Sequence, residues 1–269
     1  MEDDTKKWLY WAIPAVVAVA IGVALYYGRS HRQAEQAGQT PAVTVPETPT
    51  PAAEPPVRNP VAETPPPKPL PPLADSDPSL QESLSGVFGR ALDPFLVPKN
   101  IIRHTVVTID NMPRKKTAVQ MWPVKPIGGE LAATREDDSD ELTLSEANYA
   151  RYEPVIKILR NTDPAQIATL YKQYYPLFQE AYVSLGYPDG YFNDRLVEVI
   201  DHLLATPDVP GPVKLKRPSV NFVYADAELE ALSSGQKTLI RMGSANAAIV
   251  KDKLRELRKA IAKQEAAAN

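Results

Sequence analysis

The sequence has no cysteine among its 269 residues. This absence excludes a disulfide framework, a thiolate nucleophile, a cysteine-ligated zinc or iron–sulfur site and a lipidated cysteine. An excess of one charge is also missing, because 30 lysines and arginines stand against 33 aspartates and glutamates, which gives a net charge of −3. Without a basic excess we expect no nucleic-acid partner.

The motifs of common catalytic and cofactor sites are missing as well. There is no Gly-x-Ser-x-Gly, no P-loop, no Gly-x-Gly-x-x-Gly and no His-Glu-x-x-His. The acidic run Glu136–Glu141 lacks the turn glycine and the closing glutamate of a calcium loop, so we interpret it as a solvated loop. We therefore expect no catalytic residue, no metal and no cofactor, and favour a non-enzymatic protein.

Proline is abundant instead, and its distribution divides the chain. Of the 28 prolines, 13 lie between Pro41 and Pro72. Residues 29–75 consist largely of Pro, Ala, Thr, Glu and Val and contain no aromatic residue. Such a composition buries too little apolar surface to offset the entropy of ordering. The sequence therefore predicts a disordered Pro-rich linker over residues 29–75.

A long apolar run precedes this linker. Trp8–Tyr27 has no charged residue, and aromatic residues lie at both of its ends. A helix of 20 residues is about 30 Å long, which matches the hydrocarbon core of a bilayer. We predict a transmembrane helix over residues 8–28 after a cytoplasmic tail of residues 1–7. The alternative, a cleaved signal peptide, has a shorter apolar region followed by a small-residue cleavage site.

The orientation of this span is not decided by the flanking charges. Lys6 and Lys7 lie on one side, and Arg29 and Arg32 on the other. The N-terminal tail is short and the folded part follows the span, which favours a bacterial inner-membrane protein with its C-terminal domain in the periplasm. The lipid bilayer is then the first expected partner.

Residues 76–269 carry the patterns of a mainly helical globular domain, with the last few residues frayed. Asp77-Pro78 and Asp163-Pro164 are typical helix starts. Ser145–Arg160 has one apolar face, with Pro154 as either a kink or a restart. A short β-ribbon is predicted from residues 118–122 and 130–134, which flank two glycines. The stripe in Ser244–Lys263 fits packing on the domain's own core better than binding to a membrane or partner helix.

Tyrosines and polar residues supply the candidate binding site. Eight of the twelve tyrosines fall between Tyr149 and Tyr191. They predict either a helix-packing core or a groove for a sugar or peptide. A Pro-Asp-Gly turn then precedes a helix on which acidic residues and a histidine share one face, either as an ordinary polar face or as a metal or catalytic site. The candidate ligand-binding residues are Tyr149, Tyr152, Tyr187, Asp189, Tyr191, Asp194, Glu198 and His202.

Four runs of the folded part resemble a known family. They are VTIDNMPR at residues 107–114, NYARYEP at 148–154, YYPLFQEAYVSLGYPDGYFNDRLVEVIDHLLATP at 174–207 and LIRMGSANAAIVKDKLREL at 239–257. The chain resembles the proteobacterial family catalogued as domain of unknown function 3014. The resemblance implies a membrane-anchored envelope protein of Gram-negative bacteria. It carries over no catalytic residue, because the family has no assigned activity.

Two functions follow as hypotheses. The first is a non-enzymatic protein that binds a partner or scaffolds an assembly in the envelope, since a tether raises the local concentration of the domain near the membrane. The second is a protein that binds or cleaves cell-wall glycan through the tyrosine-rich region with Asp194 or Glu198.

Overall fold

The computed structural model describes residues 56–61, 66, 68–135, 142–219 and 221–262. The apolar run Trp8–Tyr27, most of the linker and the acidic run Glu136–Glu141 lie outside these residues. In the described part of the chain, no helix combines the length and the apolar character needed to cross a membrane. The predicted transmembrane helix therefore stays a prediction.

The described residues form a mainly helical domain, as the sequence predicts. Its helices, in chain order, are α1 Asp77–Phe88, α2 Ile101–Asn111, α3 Glu146–Ala150, α4 Glu153–Asn161, α5 Pro164–Ser184, α6 Phe192–Leu204, α7 Ala227–Ala231, α8 Ser234–Arg241 and α9 Ser244–Ile261. Four short strands complete the domain: β1 Ala133–Arg135, β2 Leu142–Leu144, β3 Lys214–Lys216 and β4 Val223–Tyr224.

Local capping explains where several helices begin. Asp163 accepts a hydrogen bond from the Ala165 N–H at 2.9 Å, and Pro164 occupies the first position of α5, where no N–H is needed. Ser233 and Gln236 form a reciprocal capping box at the start of α8. Pro154 lies in the first turn of α4, so it marks a restart of the helix rather than a kink.

The core is built around α5. Helix α9 packs on α4, α5 and α6, and helix α2 packs on α5 and α6. The largest apolar cluster joins α2, α5, α6 and the end of α9, with Ile102, Val106, Phe192 and Ile200 almost fully buried. Helix α9 thus packs on the domain's own core, and its last residue, Ile261, is only 3% exposed.

A close contact fixes the entry into α9. Gly243 has φ +84°, and a Cβ placed on it would lie 2.8 Å from the ring of Tyr149. Both the left-handed backbone and the missing side chain are therefore required at this position.

The strands form one antiparallel sheet in the order β1-β2-β3-β4. The β1–β2 register pairs Ala133 with Leu144, and Leu215 of β3 pairs with both Leu142 and Tyr224. Leu144, Leu215 and Tyr224 are buried together against Ile240 of α8. This face holds the small sheet on the helical core.

The predicted β-ribbon is wrong in its pairing. Residues 119–121 form a 3₁₀ turn, and β1 pairs with β2 rather than with residues 118–122. Pro123 and Pro126 lack the N–H groups that a strand ladder needs. The Gly128–Gly129 segment is held instead by the Arg151 guanidinium, which donates to the carbonyl oxygens of Ile127, Gly128 and Gly129.

The end of the Pro-rich segment packs on the domain. Leu73 is only 6% exposed in the main core cluster, and Val61 and Leu70 pack against that cluster. The composition of residues 29–75 predicts a disordered linker up to residue 75. Segments 56–61 and 68–75 instead contact the helices, because these aliphatic side chains find apolar partners far along the chain.

Candidate functional site

Residues 56–61, called the docked segment below, bind at the N-terminus of α6. The Asp194 carboxylate accepts the backbone N–H of Arg58 at 2.9 Å and the backbone N–H of Asn59 at 2.6 Å. The Asn59 side-chain amide donates to the same carboxylate at 2.9 Å. The Arg58 Nε lies 3.9 Å from it on an exposed side chain, so this ion pair adds little. Asp194 therefore recognises main chain above all.

Two neighbours of Asp194 complete the contact, and the three residues Tyr191, Asn193 and Asp194 are called the docking site below. The Asn193 side-chain amide donates to the Asn59 carbonyl oxygen at 2.9 Å. The Tyr191 hydroxyl accepts the backbone N–H of Val61 at 2.8 Å. Pro60, which has no N–H, lies between these two contacts. The docked segment is thus bound through its backbone at three residues.

The docking site is held in place by the domain itself. Asn193 is fully buried; it accepts the hydroxyl of Tyr171 at 3.1 Å and donates to the carbonyl oxygen of Ile261 at 2.9 Å. It thereby joins α5, α6 and the C-terminal end of α9. These two bonds do not involve the docked segment, so they fix the Asn193 amide for its third partner.

The chain enters α6 through the Pro188-Asp189-Gly190 turn. Gln179 of α5 donates to the Gly190 carbonyl oxygen at 2.7 Å and accepts the N–H of Phe192 at 2.8 Å. A Cβ on Gly190 would lie 2.8 Å from the ring of Tyr182, so only glycine fits this close approach. The turn and Gln179 together fix the direction from which Tyr191 and Asp194 face the docked segment.

Aromatic rings form the wall behind the docking site. The ring centroids of Tyr175 and Tyr191 are 5.5 Å apart, and those of Tyr171 and Tyr175 are 5.7 Å apart. Burial, with smaller contributions from Tyr175 and Tyr191, raises the pKa of Tyr171 well above its ordinary value of 10.0. Burial and the neighbouring Tyr191 hydroxyl also raise the pKa of Tyr175. These hydroxyls stay protonated at neutral pH and act as hydrogen-bonding groups.

The strength of docking follows from two opposing terms. Each of the three hydrogen bonds to the Asp194 carboxylate contributes about 1.5–3 kcal/mol. Fixing the backbone of residues 58–61 costs about 1–2 kcal/mol for each residue. The two totals are of similar size, so the contacts of Asn193 and Tyr191 leave docking favourable by about 1–3 kcal/mol. The docked segment is held, but it can be released.

A second polar cluster lies on the other side of α6. Asp110 of α2 is 2% exposed and accepts from Arg195 Nε at 3.0 Å, from Arg114 at 2.7 Å and from the Tyr187 hydroxyl at 3.2 Å. Arg195 also donates to the Asp110 carbonyl oxygen and to Glu198. Every polar group of Asp110 thus has a partner, and the cluster ties α2 to α6.

The comparison with known families decides the assignment of the chain. The model of a family of proteins of unknown function, DUF3014, matches residues 101–258, which is more than half of the chain. The chain belongs to the DUF3014 family. No curated protein and no solved structure matches it. The docking site lies inside the DUF3014 region, whereas the docked segment precedes it.

Within the DUF3014 region, the sequence-predicted site residues fall into separate places. Tyr149 packs beside the sheet and Tyr152 packs against the cluster around Ile156 and Leu203. The structure brings Tyr191 and Asp194 together at the docking site, and Tyr187 joins Glu198 around Asp110 and Arg195. The eight residues therefore do not share one groove.

The remaining candidates are not among the three residues of the docking site. Asp189 is exposed in the turn before α6. His202 Nε2 lies 2.8 Å from the hydroxyl of Ser233, which caps α8. In the part of the chain that the structure describes, no group of three His, Cys, Asp or Glu side chains could hold a metal ion. The cell-wall alternative stays a prediction.

Sequence reasoning missed Asn59, Asn193 and Asp110. Asp110 carries a signal in the sequence, because it is a charged residue directly after Ile109 in an otherwise largely apolar helical run. The Arg58-Asn59 pair carries a weaker signal in the sequence, because Arg58 is the only basic residue between Arg32 and Lys68. Asn193 lies in the first turn of α6, and nothing local in the sequence indicates that its amide joins three segments.

Proposed function

We propose that the chain is a membrane-anchored, non-enzymatic protein that recruits a partner in the bacterial envelope. In this proposal, residues 8–28 span the inner membrane and the Pro-rich segment carries the helical domain into the periplasm. The domain then binds another protein near the membrane, where tethering raises its effective concentration.

The docking of residues 58–61 on Asp194 supports this proposal most strongly. The contact binds a bent stretch of backbone through a carboxylate, an amide and a hydroxyl. Glu198 and His202 are engaged with Arg195 and Ser233. These contacts support a binding and packing role for both side chains.

Photo-crosslinking in cells tests the proposal. A photo-reactive residue replaces the exposed Asp189, which lies two positions before Tyr191 of the docking site. A control replaces Val119, which is 49% exposed on the turn that packs on α2. We expect Asp189 to yield a crosslink to one envelope protein, which also binds the purified chain, and Val119 to yield none. Identical products at both positions, or none at either, would contradict a recruiting role.

A reporter fusion tests the orientation. A periplasm-dependent reporter at the C-terminus should be active, and a cytoplasm-dependent one inactive. The reverse pattern would overturn the periplasmic placement. Co-sedimentation of the chain with purified peptidoglycan, combined with release of wall fragments, would favour the cell-wall alternative instead.

A further inference from the structure

We propose that Tyr191, Asn193 and Asp194 form a peptide-binding site, which residues 56–61 fill as an intramolecular ligand and which takes from a partner a segment of the order Arg-Asn-Pro-Val, bent at its first two residues. This inference rests on the proposed function, because it names the chemical class of the partner that the domain recruits.

The backbone pattern of the site defines the first part of the ligand. Residues 58 and 59 each offer an N–H to Asp194, residue 59 offers its carbonyl to Asn193, and residue 61 offers an N–H to Tyr191. The N–H of residue 60 has no role in this pattern. Proline fits there without loss, and its fixed φ reduces the freedom that binding removes.

Side chains add selectivity. The Asn59 amide donates to Asp194 Oδ1 at 2.9 Å, a bond that aspartate at this position would replace with repulsion. Arg58 lies on the same carboxylate with its side chain 67% exposed, which favours a basic residue without requiring it. Val61 packs against the main core cluster. The ligand is therefore a bent, non-acidic peptide with an aliphatic last residue.

The site exists without its intramolecular ligand. The Tyr171 hydroxyl and the Ile261 carbonyl hold Asn193, while Gln179 fixes the turn that carries Tyr191. None of these bonds uses the docked segment. A segment on the same chain has the advantage of a high effective concentration, so a partner peptide must compete with it.

A peptide-binding measurement on the full chain in detergent micelles tests the inference. The probe is a fluorescein-labelled peptide of residues 56–61, Pro-Val-Arg-Asn-Pro-Val, followed by fluorescence anisotropy. Asn59→Asp places a second carboxylate against Asp194 and frees the site. We expect this variant to bind the peptide about tenfold more tightly than the natural chain, whose own segment competes.

Two controls separate the site from nonspecific effects. Asn111→Asp makes the same chemical change on α2 and should bind the peptide as weakly as the natural chain. Adding Asp194→Ala to Asn59→Asp should abolish binding. Equal binding by the natural chain and the Asn59→Asp variant, or none by either, would overturn the inference. So would dimerisation of the Asn59→Asp variant without peptide binding, since the occupant would then be a second copy.

Failure of this inference can be told apart from failure of the proposed function by comparing peptide binding with crosslinking. If the labelled peptide fails to bind but crosslinking at Asp189 still recovers an envelope partner, this inference is wrong and recruitment stands. If both fail, recruitment is wrong as well.

Discussion

Replacing Asn193 by alanine should destabilise the domain strongly, and far more than replacing the amide of Asn111. The side chain accepts from the Tyr171 hydroxyl and donates to the carbonyl oxygens of Ile261 and Asn59. The first two bonds are buried, so their partners cannot turn to water. A buried group left unpaired costs about 1–3 kcal/mol, and we expect a loss of about 4 kcal/mol in the free energy of unfolding.

Urea denaturation of the full chain in detergent, followed by far-UV circular dichroism, measures this loss. Asn111→Ala is the matched control, because its amide makes one helical bond to the Val107 carbonyl oxygen on a half-buried side chain. We expect about 1 kcal/mol or less for the control. Tyr171→Phe should cost about 1–2 kcal/mol, and less when combined with Asn193→Ala, because the two residues share one bond.

The refuting result is equally specific. If Asn193→Ala costs no more than Asn111→Ala, the amide does not join α5, α6 and α9. If the losses in the free energy of unfolding caused by Tyr171→Phe and Asn193→Ala are fully additive in the double variant, the hydrogen bond between the two side chains contributes nothing to stability.

Three further predictions concern glycine, buried charge and pH, each measured by the same denaturation. Gly243→Ala should lower the free energy of unfolding by about 2 kcal/mol, because Gly243 has a positive φ and lies against the Tyr149 ring. Gly86 lies in open space within α1, so Gly86→Ala should raise the free energy of unfolding by about 0.5–1 kcal/mol. Equal effects of the two substitutions would contradict this prediction. Asp110→Asn should lower the free energy of unfolding by about 1–3 kcal/mol, because the buried carboxylate that accepts from Arg114, Arg195 and Tyr187 is lost while Arg195 keeps Glu198. The exposed Asp201→Asn should cost about 1 kcal/mol or less, and a reversed order would refute the argument. Because the folded-state pKa of Tyr171 is raised, its contribution is complete below pH 10.0 and is lost as the pH rises towards that raised pKa. Tyr171→Phe should therefore reduce the alkaline loss by about 1.4 kcal/mol per pH unit, and an unchanged slope would contradict the burial of its hydroxyl.

The helices could be predicted because their signals are local. Asp163-Pro164 caps and starts α5 within a few residues, and the apolar stripe of α9 repeats at helical spacing. The pairing of the strands could not be predicted in the same way. Strands β2 and β3 bring together residues about seventy positions apart, and strands this short show little periodicity of their own.

The sequence predicts two of the three residues of the docking site, but not their partner. Tyr191 and Asp194 were candidates because of a turn and a polar helix face, and the structure places both at the same site. Their partner escaped prediction because Arg58 and Asp194 are 136 positions apart, and a hydrogen bond to backbone leaves no mark on the partner's sequence. The composition of residues 29–75 predicts disorder throughout, so it does not distinguish the docked segment, residues 56–61, from its neighbours.

Amide hydrogen exchange of residues 56–61 tests the docking on Asp194 most directly. Mass spectrometry of the full chain compares this segment in the natural protein and in Asp194→Ala. We predict slow exchange in the natural chain, because the N–H groups of Arg58, Asn59 and Val61 are bonded, and an increase of at least about tenfold in the variant. Exchange at the rate of a free peptide in both proteins would contradict the account.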